Sequence, residues 1–338
     1  MGQGRVMARR EPVAGEGALS QERQVAALLE RIERAPSPLY GARVSAACVS
    51  SAGPRPLDVL SRLSPTTRAE VLRDQLGAMP FGTRRFADAP WPVRLGTTGA
   101  GPELLLLAFT PADLARERRA GVRVLGRLGV GRGMRVANAL AGALTTPGAL
   151  LLGDVVEELG ALDVPLGEIA GGEQARQAWR LIDRVEPAVL VLEPDAVDAL
   201  FEAAPAGDRP WCRGIVWLDR GARPRVASAA VPAKVGFAGW QRNWLAVAEA
   251  TSFVAGSCPA AGEGMRTVSR FHVDEAVIAE IVDSASGAPV PPGQHGHLVL
   301  TPLGFDAPLL RYAADLRARM CTGPCSCGTG AVSFELVG

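Results

Sequence analysis

Residues 104–113 read LLLLAFTPAD, and this short stretch decides the predicted fold class. The apolar run Leu104–Phe109 has the length and composition of a buried strand. Thr110 can cap a helix, Pro111 suits the first helical position, and Asp113 favours the positive end of a helix dipole. The stretch therefore predicts a strand that leads directly into a helix of about 18 residues.

The same alternation of strand and helix patterns continues towards the C-terminus. The predicted strands are Arg135–Leu140, Ala188–Leu192 and Gly214–Leu218, and the predicted helices are a segment after Thr146-Pro147, Glu173–Arg184 and Asp195–Ala204. Alternating strands and helices are typical of helices packed on a parallel sheet. The sequence therefore predicts an α/β protein with a layered, parallel-sheet core.

The segments on the N-terminal side of this core have helical patterns, and none of them suggests a catalytic or binding motif. Residues 1–18 are polar and glycine-rich and are predicted to form a flexible tail. Ser20–Ala35 has apolar residues along one helical face and is predicted to be an amphipathic helix. A Pro- and Ser-rich connection, residues 36–56, leads to a second predicted helix at Thr66–Met79.

The C-terminal segment has a different pattern of predicted secondary structure. After about residue 265 helical patterns become rare, and short strand patterns such as Ile278–Asp283 and Gly296–Thr301 are separated by Gly- and Pro-rich turns. We therefore predict two units after the tail, an α/β core at residues 19–264 and a smaller β-rich subdomain at residues 265–338.

Composition and charge exclude several classes of protein. The chain has 338 residues, of which 48% are hydrophobic and 21% are charged, enough to bury a large core. A net charge of +1 provides no overall field that would attract nucleic acid or an anionic membrane. No apolar stretch approaches the roughly 20 residues that cross a bilayer. We therefore expect a cytoplasmic protein that binds neither nucleic acid nor membrane.

A loop of glycines and hydroxyls precedes the first buried strand. Gly96-Thr97-Thr98-Gly99 can direct backbone N–H groups and side-chain donors at a phosphate. It is not a Walker-type loop, because no Gly-Lys-Ser/Thr follows it. Alone, the motif favours an ordinary tight turn over a phosphate loop.

The cysteines and one histidine suggest a metal site. Cys325 and Cys327 lie in a Gly- and Pro-rich turn, and Cys258 and His272 lie upstream of it. Thiolate and imidazole are the ligands of four-coordinate structural zinc. These four residues are the preferred ligand set, and Cys321 could replace any one of the cysteines. The alternative is a group of unligated buried thiols.

The remaining histidines do not support hydrolytic chemistry. All three histidines fall within residues 272–297, and no serine has the context of a nucleophile elbow. His295 and His297 are interpreted as surface residues. A Ser-His-Asp triad is therefore not expected.

Taken in order, several motifs resemble the phenylacetate-coenzyme A ligase branch of the adenylate-forming family. They are Gly96–Gly99, Gly221-Ala222-Arg223-Pro224, Cys258, His272-Val273-Asp274-Glu275, Gly296–Thr301, Arg311-Tyr312-Ala313-Ala314-Asp315-Leu316 and Cys325-Ser326-Cys327-Gly328. The resemblance extends over roughly residues 55–338. It implies the fold of the family's large N-terminal domain, a nucleotide pocket and a structural zinc.

The resemblance also implies roles for individual residues. Thr97, Thr98 and Gly99 would face the phosphates of ATP or AMP, together with Gly96. Glu249, at the end of a degraded Tyr-Gly-x-Thr-Glu-like motif, would be the acid associated with magnesium. Asp315 would bind the ribose hydroxyls. The partners implied are a carboxylic acid, coenzyme A or an acyl-acceptor protein, and a second copy of the chain.

Several family positions are changed in this chain. The lysine expected after the phosphate loop is replaced by Ala100 and Gly101, and Arg223 stands where the family has an acid. The family also continues into a mobile C-terminal domain with a second lysine, which is absent from this sequence. Lys234, the only lysine in the chain, lies in neither segment. Since charge stabilisation is usually the largest catalytic term, the chain is expected to be incomplete alone.

Two functional hypotheses follow from this pattern, and the first of them has a variant. The first is an acyl-adenylating domain, completed by a protein partner that supplies the missing domain. A variant resembles the acyl-protein synthetases, with Cys321 as the nucleophile. The second hypothesis is a pseudoenzyme that acts as a partner-binding or regulatory subunit. The sequence leaves the acid open between aryl and fatty acids.

Overall fold

The helices and strands are taken from a computed structural model that describes residues 14–35, 37–49, 55–142, 145–194, 197–221, 231–260 and 270–337. The helices described are α1 Ala14–Arg34, α2 Gly41–Val49, α3 Pro56–Arg62, α4 Arg68–Gly77, α5 Pro111–Arg127, α6 Ala149–Glu158, α7 Gly172–Val185 and α8 Asp198–Glu202. None of these helices is long and apolar enough to span a membrane.

The strands described are β1 Arg94–Thr98, β2 Leu105–Phe109, β3 Arg135–Asn138, β4 Leu162–Pro165, β5 Val189–Leu192, β6 Gly214–Asp219, β7 Trp240–Val247, β8 Thr251–Ser257, β9 Phe271–Val273, β10 Val277–Val282, β11 His295–Pro302, β12 Tyr312–Met320 and β13 Ser333–Leu336. β1 and β2 form a two-stranded sheet, and the others form a sheet in the order β10-β11-β12-β13-β9-β8-β7-β6-β5-β3-β4.

Within the large sheet, parallel and antiparallel pairing occupy different parts. The neighbours from β4 through β3, β5 and β6 to β7 are parallel. The neighbours from β7 to β10 are antiparallel. Strands from residues 271–336 thus continue the same sheet as the parallel core.

Helices cover both faces of the parallel part because side chains alternate along each strand. In β5, Val189 and Val191 pack in the core cluster that contains residues of α5 and α6. Leu190 and Leu192 pack instead in the cluster that contains residues of α7 and α8. The α/β class and its layered arrangement are thereby confirmed.

The start of α5 confirms the helix start predicted at residues 110–113. Thr110 is the N-cap, Pro111 follows it, and Asp113 completes a reciprocal capping box. The helix comes so close to its neighbours that a Cβ on Gly121 would lie 2.8 Å from the ring of Phe253 and 2.5 Å from Val155. A larger side chain at this position would push α5 away from the sheet.

Several predictions about individual segments were wrong. β2, expected as the first strand of the parallel core, instead pairs antiparallel with β1. A continuous apolar run specifies burial but not the direction of pairing, which explains the error. The connection predicted at residues 36–56 contains α2. α1 begins at Ala14, within the predicted tail, and residues 1–13 lie outside the described residues.

A buried acid on α5 predicts a pH-dependent stability. The Glu117 side chain accepts hydrogen bonds from the Ser252 N–H and the Thr251 hydroxyl, and burial raises its pKa from 4.5 to about 7. Because the folded state holds this proton more tightly, its stabilisation is complete below about pH 4.5 and is lost as the pH rises through about 7.

The Glu117→Gln variant removes this titration. Between pH 4.5 and pH 8, the free energy of unfolding of the variant should rise relative to the native chain by roughly 3 kcal/mol. Chemical denaturation at a series of pH values measures the difference, with Glu202→Gln, at an exposed position of α8, as the matched control. A difference that does not change with pH would contradict the assignment.

Candidate functional site

A cleft of about 620 Å³ lies at the carboxyl ends of the parallel strands. The chain passes from β3 to β4 on one side and continues with β5 on the other side of β3, so the sheet order reverses there. Ligands of open α/β sheets bind in the crevice outside such a switch point. The cleft is lined by residues 67–69, 97–99, Glu103, 145–147, 220–221, 246–249, His297 and 312–315.

The predicted phosphate loop forms one wall of this cleft. Thr97 and Thr98 end β1, and Gly99 follows with a left-handed φ of 80°. A Cβ on Gly99 would collide with the Arg68 guanidinium and approach the Glu103 carbonyl oxygen to 2.6 Å. Gly96 has no room for a side chain either, because Thr146 packs directly against it. The glycines of this motif are therefore required by close packing on both sides.

Glu249 lies next to the hydroxyl of the loop. It occupies the turn between β7 and β8, and its side chain is only 10% exposed. The Thr98 Oγ1 donates to Glu249 Oε1 over 3.2 Å. The two residues are 151 positions apart in the chain, so the fold brings together the predicted phosphate-binding hydroxyl and the predicted magnesium-associated acid.

Arg68 supplies a cation at this point, and sequence reasoning did not single it out. Its guanidinium forms an ion pair with Glu249 and donates to the backbone carbonyls of Thr98, at 3.3 Å, and Glu103, at 2.6 Å. Arg68 is the first residue of α4, a helix capped by a Thr67–Glu70 capping box. A positive charge thus lies beside the phosphate loop, although the lysine expected at position 100 is missing.

Asp315 reaches the cleft through a local irregularity in β12. Opposite β11, three residues of β12 lie between the pairs Val299↔Ala313 and His297↔Arg317, where β11 has one. Asp315, in this bulge, has a left-handed φ of 54°. Bulges beside functional sites often redirect a side chain. The exposed Asp315 carboxylate lines the cleft together with the buried Tyr312.

His297 was wrongly interpreted as a surface residue. It lies in β11, is half-buried, and lines the cleft on the same side as Asp315. Gly221 also lines the cleft. Arg223, which stands where the family has an acid, lies outside the described residues, as do its neighbours in 222–230.

The predicted metal ligands form a second cluster. The thiols of Cys258, Cys325 and Cys327 and one nitrogen of His272 all lie within 4.8 Å of one another. Cys258 Sγ is 3.3 Å from Cys325 Sγ, and Cys327 Sγ is 3.3 Å from His272 Nε2. Cys321, the suggested substitute, is not part of this group of described residues. Three thiols and one imidazole at this spacing are a donor set suited to tetrahedral zinc.

The environment of this cluster favours the metal-binding forms of His272 and Cys325 and opposes that of Cys258. The pKa of His272 is lowered to about 4 by burial and by the positive charges of Arg127 and Arg270, so the imidazole is neutral at physiological pH. Neutral imidazole is the form that ligates metals. Burial raises the pKa of Cys258. At Cys325 burial is outweighed by hydrogen bonds, chiefly from the Cys327 backbone, and the pKa is lowered.

The cluster is braced by ionic contacts between α5 and the sheet. Asp274, two residues after His272, is fully buried and accepts two hydrogen bonds from Arg123, at 2.8 and 2.6 Å. Arg127 lies 3.5 Å from the same carboxylate and donates to the Val273 carbonyl. These contacts fix β9, which carries His272, against α5. Such outer contacts orient the ligands of metal sites.

Comparisons with known proteins agree with this geometry, although no family model matches the chain. A phenylacetate-coenzyme A ligase of Thermus thermophilus is 29% identical over 318 residues, which cover 92% of this chain and 67% of the ligase. A 2-hydroxyisobutyryl-CoA ligase, solved in an open conformation with 2-HIB-AMP and CoA, has a TM-score of 0.79 at 18% identity over 96% of this chain and 74% of that one.

A further solved structure, an anthranilate CoA ligase in complex with anthranoyl-AMP, has a TM-score of 0.52 at 15% identity and covers 76% of this chain and 49% of that one. The chain therefore has the fold of acyl-CoA ligases, a class of adenylate-forming enzymes. Its sequence resembles the phenylacetate-coenzyme A ligase branch in particular, as the order of the motifs predicted.

Proposed function

We propose that this chain is an acyl-adenylate-forming domain that binds ATP or AMP and a carboxylic acid in the cleft beside the carboxyl ends of the parallel strands. The observation that carries the proposal is the convergence of Thr98, Glu249 and Arg68 at one wall of a cleft that also holds Asp315. These groups match the needs of a nucleotide: donors and a cation for phosphate, and an acid for ribose.

In the proposed reaction the carboxylate of the acid attacks the α-phosphate, and pyrophosphate leaves. Backbone N–H groups and hydroxyls of the Gly96–Gly99 motif would bind the phosphates. Arg68 would neutralise charge that the missing lysine neutralises in the family. Electrostatic stabilisation of this kind usually dominates phosphoryl chemistry.

Glu249 would bind magnesium, whose hard oxygen ligands are typically carboxylates and phosphates. Its carboxylate is paired with Arg68. Magnesium-ATP would exchange this one ion pair for two contacts, Glu249 with the metal and Arg68 with a phosphate. The pair would thus hold both side chains in place without leaving a buried charge unpaired.

The acyl acceptor in this proposal is coenzyme A, because the names of the related proteins are those of CoA ligases. A protein acceptor, a protein partner and a homodimer remain predictions. The pseudoenzyme and acyl-protein synthetase hypotheses have no observation in their favour. Burial raises the pKa of the Cys321 thiol, the reverse of what an activated nucleophile needs.

We also propose that Cys258, His272, Cys325 and Cys327 bind a structural zinc. The donor set and its compactness support this assignment, as does the low pKa of His272. The cluster joins the end of β8, β9 and the segment between β12 and β13. A metal there would contribute folding energy to the antiparallel part of the sheet rather than chemistry to the cleft.

Nucleotide binding tests the proposed pocket. Calorimetric titration of the native chain with AMP should give one site, and Asp315→Ala should weaken binding by about 10- to 100-fold, the usual effect of losing hydrogen bonds to a charged acceptor. Asp58→Ala, which removes an acid on α3 that does not line the cleft, is the matched control. Equal affinity in the Asp315→Ala variant would show that ribose is bound elsewhere or not at all.

A further inference from the structure

Arg220 is the second arginine in the cleft, and it is held by a different set of contacts from Arg68. It directly follows β6, while Glu193 directly follows the neighbouring β5. The Arg220 Nε forms an ion pair with Glu193, and Nη2 also donates to that carboxylate at 3.2 Å. Both residues stand at the carboxyl ends of parallel strands, where ligands of this fold class bind.

The guanidinium also binds the loop that follows β3. Nη1 donates to the Thr146 carbonyl at 3.0 Å, and Nη2 donates to the Pro147 carbonyl at 2.8 Å. A guanidinium has five N–H donors. Four of them are directed at the described residues Glu193, Thr146 and Pro147, which leaves one donor on Nη1. The side chain is 25% exposed and lines the cleft, whereas Glu193 supports it from behind.

The position of Arg220 relative to the proposed nucleotide site indicates what it faces. The loop that Arg220 binds lies against the phosphate loop, since the Thr146 N–H donates to the Thr97 carbonyl at 3.0 Å. Thr98 and Glu249, where the α-phosphate would react, contact each other beside the end of β7. An acid that attacks this phosphate would place its carboxylate beside Thr98, and its acyl chain would lie along the adjacent wall formed by Arg220 and the 145–147 loop.

We infer that Arg220, fixed by Glu193, selects the acid substrate, and that this substrate is a short acid with an uncharged oxygen on its acyl chain, such as a hydroxyl or a carbonyl. The inference rests on the proposed function. Pairing with Glu193 neutralises the charge of Arg220, so the remaining N–H donor suits a neutral acceptor. The same cleft is also lined by the hydroxyl-bearing Thr145 and Thr146 and by the small or apolar residues Pro147, Ala246, Val247 and Ala248.

The energetic reason is the cost of an unpaired donor. An unsubstituted alkyl or aryl chain placed against Arg220 would remove water from its free N–H and return no hydrogen bond. Sites built to bind a substrate hydroxyl reject the analogue that lacks it much more strongly than apolar pockets reject an extra group. Simple fatty acids and unsubstituted aryl acids should therefore bind less well than oxygenated short acids.

The test compares matched acids that differ by one oxygen: propanoate with 2-hydroxypropanoate, and butanoate with 3-hydroxybutanoate. Dissociation constants are measured by ligand-observed NMR on the full chain with AMP present, and the AMP affinity is titrated separately. The native chain should prefer the hydroxylated member of at least one pair by about 10-fold or more. Arg220→Met should reduce this ratio to about 2 or less while AMP affinity stays within about twofold.

Two further variants keep the test decisive. Glu193→Gln removes the charge of the ion pair that holds Arg220 but keeps the length of the side chain at position 193. This variant should reduce the ratio by at least about threefold even if Arg220→Met does not fold. Arg176→Met removes an exposed ion pair with Glu173 on α7 and should leave the ratio unchanged.

A native chain that binds both acids of each pair equally, or binds none of them, would overturn the inference. So would a preference that persists in both cleft variants. A loss of AMP affinity in Arg220→Met with an unchanged ratio would assign Arg220 to the nucleotide instead. Failure of the native chain to bind AMP would count against the proposed function and is read from the separate titration.

Discussion

Removal of the proposed zinc is expected to lower the melting temperature of the protein by about 10 °C or more, because a structural metal contributes its binding energy directly to folding. Cys258, His272, Cys325 and Cys327 come from segments as far apart as residues 258 and 327, and their ligand atoms lie within 4.8 Å. Without a metal, three thiols and an imidazole would be packed together with few hydrogen bonds to compensate.

Metal analysis and thermal unfolding measure this effect together. Protein that has never been treated with chelator should contain about one zinc per chain, and Cys325→Ser should lose both the metal and the thermal stability. Cys321→Ser is the matched control, since Cys321 lies in the same segment but outside the cluster. A folded native sample without metal, or equal melting temperatures for Cys325→Ser and the native chain, would contradict the assignment.

Replacing Arg68 by Met is expected to weaken the binding of magnesium-ATP by about 10- to 100-fold and the binding of AMP by less than about fivefold. The variant loses the cation that would contact a phosphate once magnesium takes Glu249 from the ion pair. AMP, which has only one phosphate, loses less of this attraction.

Calorimetric titrations with both nucleotides measure the difference. Arg68→Lys should retain part of the ATP affinity, because it keeps the charge but not the fork of donors. Arg43→Met removes a comparable ion pair with Glu70 at a position that does not line the cleft, and it should leave both affinities unchanged. An Arg68→Met variant that binds ATP as tightly as the native chain would remove Arg68 from the phosphate site.

Some features of the site were predictable because their residues are rare or locally patterned. Cys and His are few in this chain, so Cys258, His272, Cys325 and Cys327 could be named before the fold was known. The capped start of α5 follows from four consecutive residues. The strand and helix alternation predicted the layered core because the pattern of each element is local.

Other features depend on contacts between distant segments and leave no local signal. Lys and Arg together number 36, and nothing in the sequence distinguishes Arg68 or Arg220 from the rest. The direction of β2 is set by its pairing with β1 rather than by its own apolar run. The bulge that directs Asp315 into the cleft appears only in the register between β11 and β12, which also places His297 there.

The most direct test of the central claim is a single-turnover reaction with the protein in excess over ATP. The native chain is incubated with magnesium-ATP and a mixture of short carboxylic acids, and the nucleotides are analysed by mass spectrometry. The changed lysine position is expected to slow the reaction without changing its products, so the account predicts an acyl-AMP together with an equivalent amount of pyrophosphate, formed at least about tenfold more slowly with Asp315→Ala. Unchanged ATP recovered from a native chain that binds it would contradict acyl-adenylate formation.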